Sequence, residues 1–277
     1  FVLSSTLLTV SNTVLLRKSL VLPAELLILA QQIFIIAVFL IAHYFGFVKI
    51  LPMGFPSITF MIVVFSFILY ALLSMYSQSA LELSLYTTLR KTQIILTICL
   101  EYAVLRKQQT WLTIASVFSV LLGSLMMGMA EFRGNVTGYL YAGLCNIFGA
   151  TYIVSIARHK QGAKSIDSFD IVFQCAVYLA TFSGILACIR HGDITRYANA
   201  LTNWRVLTSV SLAGVMNSLV IVNTRINSPL SQSICSNIKD LCVLLIAQTF
   251  SGVSLSLKNS VGMLCTFLGA GVFCFQK

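Results

Sequence analysis

The sequence predicts an all-α integral membrane protein: ten transmembrane helices arranged as two inverted five-helix repeats, forming a single domain over residues 1–277. Three observations predict it. The first is composition, with 58% hydrophobic and 9% charged residues and a mean hydropathy of +0.92, against about 45–50% apolar and about 25% charged in soluble domains. The second is the recurrence of apolar stretches of about twenty residues between short polar breaks, each long enough as a helix to cross a hydrocarbon layer of ~30 Å. The third is an echo between the two halves of the chain, described below.

The spans follow in order. The first, 1–16, stops at the basic pair Arg17-Lys18, and Pro23 opens the second, 23–45. The third, 57–77, follows Pro56, and the fourth, 83–105, runs from Glu82 to Arg106-Lys107. The fifth is 110–130; the sixth, 137–157, closes at Arg158-His159-Lys160; the seventh, 168–190, closes at Arg190-His191. The eighth is 205–224, the ninth 229–250 after Ser228, and the tenth 256–276. Helices are preferred over barrel strands because no stretch of about ten residues alternates polar and apolar as lumen-facing and lipid-facing positions would. Each helix also satisfies its own backbone polar groups inside the bilayer.

All eight cysteines fall inside these spans with no CxxC or Cys/His spacing, so they read as small packing residues rather than metal ligands. The net charge of +10 comes from scattered basic residues rather than a patch, which points to anionic headgroups or an anionic substrate and away from nucleic acid. No signal peptide is visible, and a chain opening on Phe1 suggests trimmed natural termini. The basic clusters Arg106-Lys107 and Arg158 to Lys164 favour cytosolic termini. The sequon Asn135-Val136-Thr137 then lies on the other side, where it abuts a span and reads as a chance match.

Segments 83–130 and 229–276 share a pattern, with Leu89-Arg90-Lys91 echoed by Ile238-Lys239-Asp240 and Leu122-Gly123 by Leu268-Gly269. Repeats over 1–130 and 137–277 follow. Five spans return the chain to the opposite side, so the second copy inserts upside down, and such inverted repeats place a substrate site near the midplane between them. Gly123, Gly128, Gly269 and Gly271 are expected to let helices approach closely.

Charges inside spans carry the chemistry. Lys239 lies about ten residues from either end of its span, ~15 Å from each interface, where insertion costs about 2.5–3.5 kcal/mol. Asp240 cannot simply neutralise it, because adjacent residues on a helix do not face one another. A bound anion or a partner on another span is the better reading. Arg90 and Lys91 carry the same argument if the fourth span begins at 83, and become interfacial if it begins later. Together these cations would form a phosphate-binding, anion-selecting cavity. Asn12, Gln31, Gln32, Glu101, Asp170 and Gln174 line that cavity, bond between helices or sit at a span end. Glu101, three turns from Arg90 on the same face, either balances the cavity charge or, the favoured reading, sits at an interface.

Tyr86-Thr87-Thr88-Leu89-Arg90-Lys91 with the downstream Glu101 resembles the fourth-span motif FTVLRR…E of nucleotide-sugar transporters, within the drug/metabolite transporter superfamily. Ser228-Pro229-Leu230 with Ser236-Asn237-Ile238-Lys239-Asp240 is similar to their ninth-span S-A/P-L…G-x-x-K-N, and Gly134-Asn135-Val136-Thr137-Gly138-Tyr139 to the FDLxGY that opens the sixth. Asn12 stands at the place of the first-span VNK, and the resemblance runs in order to Gly269. By the position of the lysine, the branch carrying UDP-glucuronic acid and UDP-N-acetylgalactosamine looks nearest.

The resemblance implies an antiporter of the Golgi membrane, or alternatively of the endoplasmic reticulum, that exchanges a cytosolic nucleotide sugar, a UDP-sugar above all, for a lumenal nucleoside monophosphate. It implies phosphate binding by Lys239, Arg90 and Lys91. Further substrate contacts are implied for Ser236, Asn237, Asp240, Asn12 and, in the seventh span, Phe173 and Gln174. No cofactor or metal is expected. The expected partners are the two nucleotides, membrane lipids and, as an option, a second copy of the chain. The sequence departs from the family at Phe173-Gln174-Cys175, where YYN or FYNN would stand, at Ser236 for glycine, at Asp240 for asparagine and at Thr13 for lysine. Those departures leave a triose-phosphate or phosphate-ester exchanger of the same fold open, although it would need a basic residue at 240. An enzyme is disfavoured, because no nucleophile elbow, Ser/His dyad or paired carboxylates occur in the spans. A non-transporting scaffold would not need the midplane charges.

Overall fold

The computed structural model describes residues 2–17, 23–48, 57–128, 136–162, 168–192, 197, 203–226, 229–232, 234–236 and 257–275. Among them the secondary structure is helical, with no β-strand. The helices are α1 (Val2–Arg17), α2 (Ala24–Tyr44), α3 (Ile58–Ala80), α4 (Leu83–Arg90), α5 (Gln93–Leu105), α6 (Trp111–Gly128), α7 (Val136–Gly162), α8 (Ser168–His191), α9 (Trp204–Ile226) and α10 (Leu257–Phe275). Ala24–Tyr44, Ile58–Ala80, Val136–His159 and Phe169–His191 are long and apolar enough to cross a bilayer.

The distribution of side chains is that of a bundle solvated by lipid. Ile33, Phe34, Leu40, Ile41, Phe65 and Phe118 are exposed, while Asn12, Gln31, Gln32, Arg90, Lys91, Glu101 and Asn146 are buried. Apolar side chains facing outward need no water-soluble coat when the solvent is hydrocarbon, whereas polar groups must find partners or a wet cavity inside. The fold is an all-α, multi-pass membrane-type bundle.

Helix ends follow local chemistry. Ser57 caps α3, its side chain accepting from the Phe60 amide at 3.3 Å, a standard use of a serine hydroxyl at a helix start. Beyond α8, Gly192 takes φ +60° and its N–H reaches Cys188 O at 3.1 Å, a left-handed stop that suits glycine. Helix α7 continues to Gly162, past the expected end at 157, because Arg158 and His159 extend a helix without having to stay in hydrocarbon. Arg158 is tied across to Val104 O at 2.8 Å.

Three antiparallel pairs set the frame. Along α3 and α7, Phe60 meets His159, Phe67 meets Tyr152 and Tyr76 meets Tyr141, with ring centroids 5.7, 5.0 and 5.7 Å apart. Along α2 and α8, Phe39 packs on Phe169 and Phe173 at one end, and Arg190 donates to Glu25 Oε1 at 2.8 Å at the other. Helices α6 and α10 cross at glycines. A Cβ on Gly123 would fall 2.6 Å from Thr266 Oγ1 and would also strike Gly262 O; one on Gly269 would fall 2.6 Å from Ser116 O and 2.9 Å from Val120. The contact reads the same from either helix: Gly123 meets positions seven and three residues before Gly269, and Gly269 meets those seven and three before Gly123. Between them Ser119 Oγ donates to Cys265 O at 2.9 Å across the same separation of 146 residues. Gly271, by contrast, has nothing within 4 Å of a Cβ; the expectation of close approach fails there because two residues beyond Gly269 the helix has turned about 200° away from the crossing face.

The span expected at 83–105 is not one helix. It breaks at Lys91-Thr92, where Lys91 N bonds Thr88 O at 3.2 Å and Thr92 N bonds Leu89 O at 3.1 Å, short three-residue loops in place of α-helical ones. Asn146 of α7 closes the gap, its Nδ2 donating to Leu89 O and to Thr92 Oγ1, both at 2.8 Å. Non-helical backbone at membrane depth is tolerated where another helix satisfies it in this way. Most of the expected ninth span, with Asn237, Lys239 and Asp240, lies outside the described residues, as does the run from Gly134 to Asn135.

Candidate functional site

The break points Arg90, the last residue of α4, into a cavity bounded by α1, α2, α3, α4, α5, α7, α8, α9 and the helical residues at 232 and 236. The cavity has a volume of about 140 Å³, room for about five waters. Among the described residues lining it, Arg90 carries the single formal charge. Around it stand the amides of Asn12, Gln31, Gln32, Gln78, Gln93, Asn217 and Gln232, with the rings of Tyr70, Tyr86 and Tyr152. A cation amid neutral donors, in a site of low dielectric, favours an anionic ligand.

The guanidinium is held before any ligand arrives. Nη1 donates to Tyr86 Oη at 3.0 Å, and Nη2 donates to Tyr70 Oη at 3.0 Å and to Gln93 Oε1 at 3.2 Å. Tyr86 lies one turn before Arg90 and Gln93 one turn after, so both reach it along the broken helix. Tyr86 Oη also accepts from Gln78 Nε2 at 3.2 Å, which leaves its own proton for Ser74 Oγ at 2.7 Å. The Arg90 Cζ lies 5.2 Å from the Tyr70 ring centroid and 5.8 Å from that of Tyr86, within cation–π range. Tyr70 and Tyr152 stand nearly parallel at 6.1 Å. The arrangement presents a fixed guanidinium whose positive charge suits an anion such as phosphate.

The expected site residues divide. Arg90, Asn12 and Ser236 line the cavity. Asn12 is also part of a lock between helices: Gln31 Nε2 donates to Asn12 Oδ1 at 3.2 Å and to Ser209 Oγ at 3.0 Å, and Ser209 Oγ donates to Asn12 Oδ1 at 2.5 Å. Lys91 is fully buried at the break and does not line the cavity, since neighbours on a helix point about 100° apart. Phe173 and Gln174 do not line it either; Phe173 packs 6.5 Å from Phe39, on the face that α8 turns to α2. Glu101 stands four residues from the end of α5. It is fully buried, with Oε1 accepting from Leu230 N at 3.1 Å and Oε2 from Gln109 Nε2 at 2.7 Å.

Removing the Asn146 amide tests the break directly. We expect Asn146→Leu, which deletes both bonds to the α4–α5 junction, to cost about 1–3 kcal/mol in stability and to lower ligand binding, because Arg90 loses its fixed aim. Thermal unfolding of the purified variant, with and without nucleotide, measures both.

No family model matches the chain. It is 32% identical over 219 residues to a UDP-N-acetylglucosamine transporter of Arabidopsis thaliana, covering 76% of this chain and 63% of that protein. It is 26% identical over 195 residues to a nucleotide sugar transporter of Homo sapiens, covering 68% of this chain and 57% of that protein. The chain thus spans less than two thirds of the length of these relatives. A solved crystal structure superposes on 100% of this chain and 98% of its own with a TM-score of 0.74 at 14% identity, which shows a shared fold. The sequence similarities relate the chain to nucleotide-sugar transporters in general; they do not single out the branch carrying UDP-glucuronic acid and UDP-N-acetylgalactosamine.

Proposed function

We propose that this chain, a relative of nucleotide-sugar transporters, exchanges a nucleotide sugar for a nucleoside monophosphate across an organelle membrane, that of the Golgi or alternatively of the endoplasmic reticulum. The observation that carries this reading is Arg90, held by Tyr70, Tyr86 and Gln93 as the charged residue of a polar cavity. The two ligands share a phosphate, and the charge of a fixed guanidinium suits that shared part. Amides and tyrosines around it are suited to the neutral base and sugar. A UDP-sugar is favoured, and the Arabidopsis relative widens the choice to UDP-N-acetylhexosamines.

Transport by alternating access needs two halves that rock about a common axis. The reciprocal contact of Gly123 and Gly269, with Ser119 and Cys265 between them, supports ten spans built as inverted repeats over 1–130 and 137–277. Glu25 and Arg190 join the halves at one end of α2 and α8, a pair that would part when that end opens. Lys239, Asn237 and Asp240 remain part of the proposed phosphate and sugar contacts, with membrane lipids and a second copy of the chain as further partners.

Liposomes preloaded with UMP or GMP and supplied outside with radiolabelled UDP-sugars or GDP-mannose test the reading. Uptake is expected to depend on internal UMP and to be strongest with a UDP-sugar. Uptake indifferent to the internal monophosphate would remove the exchange mechanism. Exchange of small phosphate esters in place of nucleotides would move the chain to the phosphate-ester class.

A further inference from the structure

We infer that Glu101 is a positioning residue, which sets the helical residues 229–232 and 234–236 so that Gln232 and Ser236 line the cavity that holds Arg90. Glu101 lies eleven residues beyond Arg90, past the break, and does not line the cavity. Its two carboxylate oxygens instead accept from the Leu230 backbone N–H and from the Gln109 side chain. Leu230 opens the second-half stretch, and the stretch then divides by helical spacing. Leu230 and Ile234 turn toward the first half, where they pack with Ile94, Val117, Val120 and Leu121. Gln232 and Ser236, also four apart, line the cavity.

Register matters because Leu230 is a point at which this stretch is fixed to the first half. Apolar packing of Leu230 and Ile234 is non-directional and tolerates a slide along α5 and α6; a hydrogen bond to one backbone N–H does not. Asn223 Nδ2 donates to Gln232 Oε1, so the Gln232 amide N–H is the end available to a ligand. Glu101 therefore acts on the substrate through the stretch that carries this donor and the Ser236 hydroxyl. Gln109, in the loop after α5, orients the carboxylate from its other side.

Glu101→Gln separates position from charge. A glutamine oxygen still accepts from Leu230 N–H, and the Gln109 amide can turn to accept from the new NH₂ group. Glu101→Ala removes both bonds. In the alanine variant, hydrogen exchange at the peptide containing Leu230 is expected to speed up by about tenfold or more, and KM for exchange to rise by about tenfold with kcat within about threefold. The glutamine variant is expected to restore both values toward wild type. Unchanged exchange protection at Leu230 in Glu101→Ala, or a glutamine variant as defective as alanine, would overturn the inference. The KM arm rests on the proposed transport function, whereas the hydrogen-exchange arm does not. A wild-type protein with no transport would therefore count against that function and leave Leu230 protection to decide the role of Glu101.

Discussion

Arg90→Gln is expected to lower nucleotide exchange by about 100-fold, equivalent to ~3 kcal/mol of binding to the phosphate group. The size follows from the site. Arg90 is the charged group among the described lining residues, and the amides around it cannot replace a full positive charge opposite a phosphate in a low-dielectric cavity. The loss should be common to nucleotide sugar and nucleoside monophosphate, because the phosphate is their shared part. Arg90→Lys is expected to recover only a small fraction of the activity. An ammonium keeps the charge but cannot hold Tyr70, Tyr86 and Gln93 in the geometry that the planar guanidinium uses. Initial rates in proteoliposomes with equal amounts of folded protein measure the effect; rates within a few-fold of wild type would place the phosphate elsewhere.

The second large effect is structural. Gly123→Leu and Gly269→Leu are each expected to lower the unfolding temperature by roughly 5–10 °C, the scale of overpacking a close contact. A Cβ at Gly123 would meet Thr266 Oγ1 at 2.6 Å and the backbone at Gly262, while a Cβ at Gly269 would meet Ser116 O at 2.6 Å. Backbone atoms cannot turn aside as a side chain can, so α6 and α10 must separate. The same substitution at Gly271, which has open space around it, is the control and should leave the unfolding temperature unchanged. Thermal unfolding in detergent compares the three.

Composition and span length made the membrane fold legible, since both are additive properties of the chain. Predicted limits at 23–45 and 57–77 sit within a few residues of Ala24–Tyr44 and Ile58–Ala80. The break in the fourth span was hidden. No proline or glycine marks positions 91 and 92, and the side chain that satisfies the freed carbonyl, Asn146, comes from 57 residues away in the chain. Arg90 stood out because a charge in an apolar run is costly. Tyr70 and Tyr152 did not, because a tyrosine in such a run carries no cost that would flag it, and helical spacing relates positions only within one helix. Tyr86 and Gln93 had a readable signal in their one-turn spacing from Arg90. Phe173 was chosen by motif position alone; its ring turns to Phe39, a matter of how α8 rotates against α2. Glu101 was read by depth along its span, where the decisive fact is an amide donor from 129 residues further on.

The phosphate-reading role of the cavity is tested most directly by comparing UMP with uridine in thermal stabilisation of the purified wild-type protein. The two ligands differ by the phosphate alone. The account predicts that UMP raises the unfolding temperature in a concentration-dependent way, that uridine at the same concentrations does not, and that Arg90→Gln abolishes the UMP shift. Equal shifts from UMP and uridine, or a UMP shift that survives in Arg90→Gln, would contradict it.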